Sequence, residues 1–480
     1  MIIIDQAYLN FVIPLISIYN KFIVSYFLFL NSFYICLLFV AFFAIKKYLR
    51  FIQFVELKNV FHSPFSKPIS ILAPAYNEEA SVVNSINSLL QLRYPLFEVV
   101  VINDGSTDNT LKLLIETFEL KLSKKVYRKQ VECHDVKGIY ESAIHPNLVI
   151  VDKVNGGGKA DALNAGINVS SYPLFCAIDC DSIIEPDVLL KIIRPFIEDT
   201  STVAAGGTVR IVNGCKVKSG VVREVGLPHT LLGKFQIMEY FRAFLAGRMA
   251  FSSFSCLLII SGAFGLFKKQ KVIDVGGYWP EAIGEDMELI VRLHKHLREK
   301  KEPYKIVYIP DPVCWTEAPE TYKVLGLQRK RWQVGLLQSL FTHSSMFFNP
   351  KHGVVGLVAF PFFLFFEGLG PIIEFFGVIF FVVAWYFQLV NAELAILFFV
   401  GAIILNIVLS LGAVILEEMT FGRYPKLTHI LILSSLSFLE TLIYRPVNTW
   451  WRLAGTMQFL FNKKVEWGEM EKKGFKSESE

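Results

Sequence analysis

The chain has 480 residues, enough for more than one domain. Apolar residues make up 53% of it and charged residues 19%, below the roughly 25% of soluble proteins, so the composition excludes a wholly soluble protein and implies a membrane protein with a substantial soluble part. The net charge of +5 is modest and not massed in one tract, which argues against a nucleic-acid partner; seven cysteines without a CxxC pair or Cys/His cluster argue against a zinc site or disulfide framework and read as reduced thiols of a cytosol-facing protein.

Residues 1–44 are almost wholly apolar. Phe22 to Ala44 is long enough to cross a bilayer, for which ~20 apolar residues suffice. Lys46, Lys47 and Arg50 follow at once and put the next segment in the cytoplasm. The start carries Asp5 and no small-residue cleavage site, so it reads as an anchor rather than a signal peptide. Ile2 to Tyr19 reads as either a second crossing or an interfacial helix.

From Lys67 to about Tyr322 strands and helices alternate. Strands are expected at Ile69–Ala73, Phe97–Asn103, Leu148–Val151 and Leu174–Ile178, and helices at Ala80–Leu92, Thr110–Phe118 and Lys159–Asn168. Near-continuous apolar strands between amphipathic helices predict an α/β fold with a mainly parallel sheet covered on both faces. Ligands bind such sheets at the carboxyl ends of the strands. Lys121 to Pro146 is charged and reads as an irregular surface insertion. After Lys351 the chain turns apolar again, with membrane candidates at Gly353–Phe387, Leu394–Leu416 and Thr428–Tyr444. Glu367 and Glu374 lie inside the first of these, and intramembrane carboxylates usually face the protein interior or a polar path.

The fourth strand runs into Asp179-Cys-Asp181-Ser. Residues i and i+2 of a strand share a face, so the two carboxylates can aim at one point and suit Mg²⁺ or Mn²⁺ carrying substrate phosphates; a strand-end turn is the alternative. The other strands end in loops of the same kind. Pro74-Ala-Tyr-Asn-Glu-Glu79 offers Tyr76 as a stacking face and Glu78 as a hydrogen-bonding group. Asn103-Asp-Gly-Ser-Thr-Asp-Asn-Thr110 places Asp104 to accept from a nucleobase N–H. In Asn155-Gly-Gly-Gly-Lys159 the glycines admit close backbone approach, and Lys159 at a helix start suits a diphosphate. Ile283-Gly-Glu-Asp-Met-Glu288 offers Glu285 and Asp286 as helix-capping acids or as a general base. In Gln328-Arg-Lys-Arg-Trp-Gln333, Gln328, Arg331 and Trp332 share one helix face; interfacial anchoring is the alternative for the basic residues.

Taken in this order, PAYNEE, NDGSTDNT, GGKADALN, DCDS, GEDMEL and QRKRW resemble the membrane-integrated family 2 glycosyltransferases, relatives of the cellulose, chitin, hyaluronan and poly-N-acetylglucosamine synthases. The resemblance spans roughly Ile69 to Gln338 and the flanking membrane helices. It implies a GT-A type fold and a UDP-sugar donor, with Tyr76, Glu78 and Asp104 around the uridine and Lys159 by the diphosphate. Asp179 and Asp181 would hold donor and cation, Asp181 more directly. Asp286, beside Glu285, would be the general base and Arg331 would balance the leaving diphosphate. Gln328 and Trp332 would receive the acceptor sugar, with Ser261 and Gly262 lining its pocket. A single base and no covalent intermediate imply inversion at the anomeric carbon.

The implied organisation is an N-terminal anchor over residues 1–50, a cytosolic GT-A domain over 51–325, and an interfacial amphipathic region over 326–350. Membrane helices follow over 351–462 and a polar tail over 463–480. The expected protein sits in the cell inner membrane, takes a polysaccharide or glycolipid acceptor, and leaves room for accessory or export subunits. The leading expectation is a processive transferase that exports its own product. The alternatives are single-sugar transfer to a lipid and, more remotely, a non-catalytic scaffold or export channel. The section from Val209 to Phe254, with Arg210, His229 and Arg242, has no assigned role, and the identity of the sugar is not legible.

Overall fold

The computed structural model describes residues 6–54, 66–218, 220–388, 392–424 and 426–463. Twelve strands are present among them: β1 Ile69–Ala75, β2 Phe97–Asn103, β3 Leu120–Leu122, β4 Val136–Ser142, β5 Leu148–Lys153, β6 Leu174–Ile178, β7 Ile183–Ile184, β8 Thr202–Ile211, β9 Lys216–Lys218, β10 Val221–Glu224, β11 Phe264–Lys268 and β12 Lys305–Thr316. Ten form one sheet in the order β3-β4-β5-β2-β1-β6-β11-β8-β12-β7, and β9 and β10 form a separate hairpin. The run β5-β2-β1-β6 is parallel throughout. Its strands are the apolar runs expected from the sequence, and their residues are almost all buried, as a sheet covered on both faces requires.

Two features of the sheet depart from the sequence reading. The supposed irregular insertion at 121–146 contributes β4 and part of β3, which extend the sheet by antiparallel pairing onto β5. Ile139 and Ser142 are buried, but Lys137 and Glu141, on the same face as Ile139, are exposed, and those charges break the apolar pattern that would mark the strand in the sequence. The second feature is β11, which inserts antiparallel between β6 and β8. Phe264 pairs with Ile178, so the residues just before β11 lie beside the end of β6.

The main helices are α1 Gln6–Phe54, α2 Val82–Leu90, α3 Thr110–Thr117, α4 Lys159–Val169, α5 Leu231–Tyr240, α6 Arg248–Ser253, α7 Glu285–Glu299, α8 Tyr322–Thr342, α9 Gly370–Tyr386, α10 Ala392–Thr420, α11 Leu427–Leu439 and α12 Arg445–Leu460. A π-helical segment, Phe241–Gly247, joins α5 to α6. Three stretches are long and apolar enough to cross a membrane: Ile18–Ile52, Phe399–Thr420 and Leu427–Leu460. The pair Val355–Gly368 and Gly370–Tyr386, bent by 44°, supplies a fourth if it is one span. The bend falls at Gly368-Leu-Gly-Pro371, where proline removes a backbone donor. From the N-terminal stretch Ile2–Tyr19, the described residues are continuous with α1; residues 1–5 lie outside the described part. The last candidate is longer than expected, because a π-helical turn at Glu440–Tyr444 carries the chain directly into α12.

The unassigned section 209–254 fastens the sheet to the membrane helices. Arg210, the penultimate residue of β8, donates to Glu417 of α10 at 2.6 Å, and both side chains are buried. Arg242 donates to Glu440 at 2.8 Å and to Ser410 at 2.8 Å. All seven cysteines are free thiols.

Breaking a buried pair by removing one partner strands the other charge, at a cost of roughly 3–5 kcal/mol. Arg210→Met should therefore lower the thermal midpoint of the detergent-solubilised protein sharply, and adding Glu417→Met should recover most of the loss. If the double variant melts no higher than Arg210→Met, the two residues are not coupled.

Candidate active site

The carboxyl ends of β1, β2, β5 and β6 bring the candidate loops to one edge. Sequence alternation along a strand predicted that Asp179 and Asp181 converge. In the structure β6 stops at Ile178, and the Ser182 N–H donates to the Asp179 carbonyl at 3.0 Å. Both acids therefore sit on a turn, the conformation Asp and Ser favour, and both line a continuous cavity of 2190 Å³.

Lys159 opens α4 and reaches across to this turn. Its Nζ donates to Asp179 Oδ1 and, at 2.7 Å, to the Gly262 carbonyl. Gly262 lies there because β11 pairs with β6. The Gly262 N–H in turn donates to Asp286 Oδ2 at 3.0 Å, while Asp286 Oδ1 accepts from the Met287 N–H at 2.8 Å. Lys159, Asp179, Gly262 and Asp286 thus form one hydrogen-bonded chain across the cavity. Burial alone would lower the Lys159 pKa, but the carboxylates of Asp179, Glu285 and Asp286 outweigh it and hold the ammonium above the ordinary lysine value. Glu285 moves the other way. Burial, reinforced by the Asp286 charge and partly offset by Lys159, pushes its carboxyl up to about 7.

The acidic motif and the QRKRW helix are fastened backbone to backbone. A Cβ added to Gly335 of α8 would sit 2.8 Å from the Gly284 N, and one added to Gly284 would sit 3.2 Å from the Gly335 Cα. The Ile283 N–H donates to Gln338 Oε1 at 2.9 Å, and Gln338 Nε2 donates to the Glu281 carbonyl at 3.1 Å. Farther along, His343 Nε2 lies 3.0 Å from Glu288 Oε1. Gln328, Arg331 and Trp332 all line the cavity with Asp286 and Ser261, and Trp332 is 39% exposed, an open ring face.

The nucleotide-type loops interlock. The Asn77 N–H donates to Ser106 Oγ at 3.0 Å, the Thr107 N–H to Asn77 Oδ1 at 2.8 Å, and the Glu78 N–H to Thr110 Oγ1 at 2.8 Å. Tyr76 is exposed and lines the cavity together with Glu78, whose Oε2 accepts from Ser81 Oγ at 2.7 Å. Asp104 is placed differently: it is buried, is not part of the cavity lining, and its Oδ1 accepts from Lys153 Nζ at 2.5 Å and from the Gly156 N–H at 3.2 Å. Lys153 is 0% exposed and also ion-pairs with Asp161 at 2.5 Å.

The sequence reading missed several residues. Lys153 follows Asp152 at the end of the apolar run Leu148–Val151, which was a usable signal for a buried charge. Gly335 is a glycine inside a helix, a usual mark of close packing. Arg329, between the expected contacts Gln328 and Arg331, donates to Glu239 at 2.6 Å and stacks 4.1 Å over the Trp332 ring, so it holds the platform from behind. Gln333 accepts from Arg452 of α12 at 3.0 Å and donates to the Gly368 carbonyl at 2.8 Å, filling the acceptor left open by the bend before Pro371.

Glu367 accepts from Tyr34 at 2.5 Å and from Arg452 at 2.9 Å, and Glu374 accepts from Thr449 at 2.7 Å. All five line the same cavity as Asp179 and Asp286. Among the described residues no group of three or more His, Cys, Asp or Glu side chains forms a metal cage. Two carboxylates on one turn nevertheless fit Mg²⁺ or Mn²⁺, hard cations that keep waters and take substrate phosphates as further ligands.

A Glu285 carboxyl raised to about 7 binds a proton in the folded state that the unfolded chain gives up near 4.5. Its contribution is stabilising at low pH and is lost as pH rises from about 4.5 to about 7. Glu285→Gln should flatten that part of the stability–pH curve, read by thermal melts across the range. An unchanged slope would mean that Glu285 ionises normally.

Residues 70–132 match the model of glycosyl transferase family 2, and residues 174–411 match that of glycosyl transferase family group 2, together more than half of the chain. The poly-β-1,6-N-acetyl-D-glucosamine synthase of Staphylococcus epidermidis is 33% identical over 267 residues, 56% of this chain and 54% of the relative. Its counterpart in Staphylococcus aureus (strain COL) is 32% identical over 278 residues, 57% of each chain. The chain thus spans just over half the length of these curated relatives. Among solved structures, a mannosyltransferase from Pyrobaculum calidifontis in complex with GDP-Man and Mn²⁺ aligns over 91% of this chain and 100% of its own, at 16% identity and a TM-score of 0.48. By its two family matches and its relationship to polysaccharide synthases, the chain belongs to the family 2 glycosyltransferases.

Proposed function

We propose that the protein transfers a sugar from a UDP-sugar to a hydroxyl of a growing polysaccharide, with inversion, and passes the product between its own membrane helices. One observation carries the reading: a single cavity is lined both by Asp179, Asp181 and Asp286 and by Tyr34, Glu367 and Arg452 of the membrane-type helices. A path with aromatic walls and paired charges suits a hydrated, uncharged polymer. The staphylococcal relatives, named as poly-N-acetylglucosamine synthases, support the polymer and make N-acetylglucosamine the first sugar to test.

In this reading Tyr76 and Glu78 receive the uridine, and Asp104 shapes the glycine-rich loop beneath it through the Gly156 N–H. Lys159 and Arg331 bring positive charge to the diphosphate. Asp179 and Asp181 would hold Mg²⁺ or Mn²⁺, which when bound offsets charge growing on the leaving UDP. Asp286 takes the proton of the acceptor hydroxyl. Its Oδ2 is oriented by the Gly262 N–H, and a base in fixed geometry gains from proximity as well as basicity. Trp332 and Gln328 hold the acceptor sugar, with Ser261 and Gly262 opposite. The domain over 51–325 lies in the cytosol of a bacterial-type inner membrane, following Lys46, Lys47 and Arg50.

The test is a screen of radiolabelled UDP-sugars with Mg²⁺ or Mn²⁺ on the purified full chain, followed by sizing of the product. Long chains from one UDP-sugar are expected, and products no longer than one added sugar on a lipid would remove processivity. Asp286→Asn should reduce transfer by more than about 100-fold while UDP still binds. Retained turnover in that variant would show that another group is the base.

A further inference from the structure

Arg248, the first residue of α6, is 6% exposed and lines the cavity. Among the described residues it makes no hydrogen bond and no ion pair, and its Nη1 is buried without a partner. The other arginines of the cavity lining are engaged: Arg242 with Glu440, Arg329 with Glu239, Arg445 with Asn406, Arg452 with Glu367, and Arg331 within its own surroundings. A guanidinium carries five donors and no acceptor, so leaving one buried and unpaired is costly. Its carbon lies 4.0 Å from the Phe244 ring centroid, and Phe244 lies 6.5 Å from Trp332. Arg248 is therefore one aromatic ring away from the proposed acceptor platform, and the Asp286 charge is among those acting on it.

From this arrangement, and resting on the acceptor site proposed above, we infer that Arg248 is an acceptor-binding residue. Its guanidinium donates to an oxygen substituent of the terminal acceptor sugar and so turns the neighbouring hydroxyl toward Asp286. The partner must be an oxygen, because the group only donates. Asp286 and Glu285, which line the same cavity, disfavour an anionic sugar, so the oxygen belongs to a neutral ring, as a hydroxyl or as the carbonyl of an acetamido group. The cost of the buried charge is then met when the acceptor binds. Stacking on Phe244 leaves the edges of the guanidinium, where its N–H groups lie, for that contact.

The test uses the full chain in nanodiscs, its best UDP-sugar, and two β-1,6-linked pentasaccharides, one of N-acetylglucosamine and one of glucose. Arg248→Met should raise the apparent acceptor KM about tenfold, as loss of a charge-assisted hydrogen bond would, with donor KM unchanged; Arg248→Lys should restore part of it. Because methionine removes an unpaired charge and packs on an aromatic ring, the variant should melt no lower than the parent protein. An effect confined to the acetylated pentamer identifies the amide carbonyl, and an equal effect on both identifies a hydroxyl; either supports the assignment. Unchanged acceptor KM in Arg248→Met, or a fall in melting temperature with donor and acceptor KM raised together, overturns it. If neither pentamer stimulates the parent enzyme, the acceptor site itself is wrong, an outcome distinct from failure of Arg248 alone.

Discussion

The geometry of this site depends on a place where two backbones meet with nothing between them. Gly284 precedes the acidic motif and Gly335 follows QRKRW, and neither position has room for a Cβ without a shift of the chain. Because they touch, the first turn of α7, which carries Asp286, keeps a fixed distance from the helix that carries Trp332. Gln338 and the His343–Glu288 pair extend the same contact along α8. In the proposed function a one-ångström change here would separate base from acceptor, and such displacements are costly to catalysis.

The same helix is fixed from its other side. Trp451 of α12 packs where a Cβ on Gly326 would sit, at 2.7 Å, and the Lys330 carbonyl lies 2.7 Å from a Cβ on Gly455. Gln333 then ties α8 to Arg452 and to the carbonyl freed at the Gly368–Pro371 bend. Membrane-type segment, QRKRW helix and acidic motif are thus one packed unit. Polar groups within apolar helices must be satisfied internally, and here that requirement is met by ion pairs: Glu367 with Arg452, Glu440 with Arg242, Glu417 with Arg210 of the sheet.

Much of this was legible in the sequence, and the reason is local. Phe97–Asn103, built on Val99–Ile102, and Leu174–Ile178 are runs whose burial on both faces leaves a strong apolar signal, and the structure has strands at those bounds. Lys159 was legible as the first residue of a helix because three glycines precede it. What failed was whatever depended on distant partners. β4 was hidden because exposed Lys137 and Glu141 flank its buried Ile139, and the 209–254 section had no reading because Arg210 and Arg242 find their carboxylates about two hundred residues away. Asp104 was legible as a loop-end acid, but its engagement by Lys153 is a contact between neighbouring strands that spacing cannot disclose.

The charge balance at the strand ends connects these observations. Four carboxylates, Asp179, Asp181, Glu285 and Asp286, line one region of the cavity with Lys159 reaching among them. One ammonium does not neutralise four acids, and two shifts accompany that excess. Glu285 takes up a proton more readily than an ordinary glutamate, and Lys159 holds its own more tightly than an ordinary lysine. The Glu285 shift comes first from burial, with the Asp286 charge adding to it, whereas the Lys159 shift expresses the field of the acids, which attracts cations and repels a bare diphosphate. A donor carrying two phosphates can approach such a site only if positive charge comes with it or is already waiting. Asp179 and Asp181 share a turn that fits a cation, and Arg331 on α8 lines the same cavity. In the proposed reaction the acids assigned to the acceptor would exclude the donor without such charge, so the proposed metal and the proposed role of Arg331 answer one electrostatic constraint.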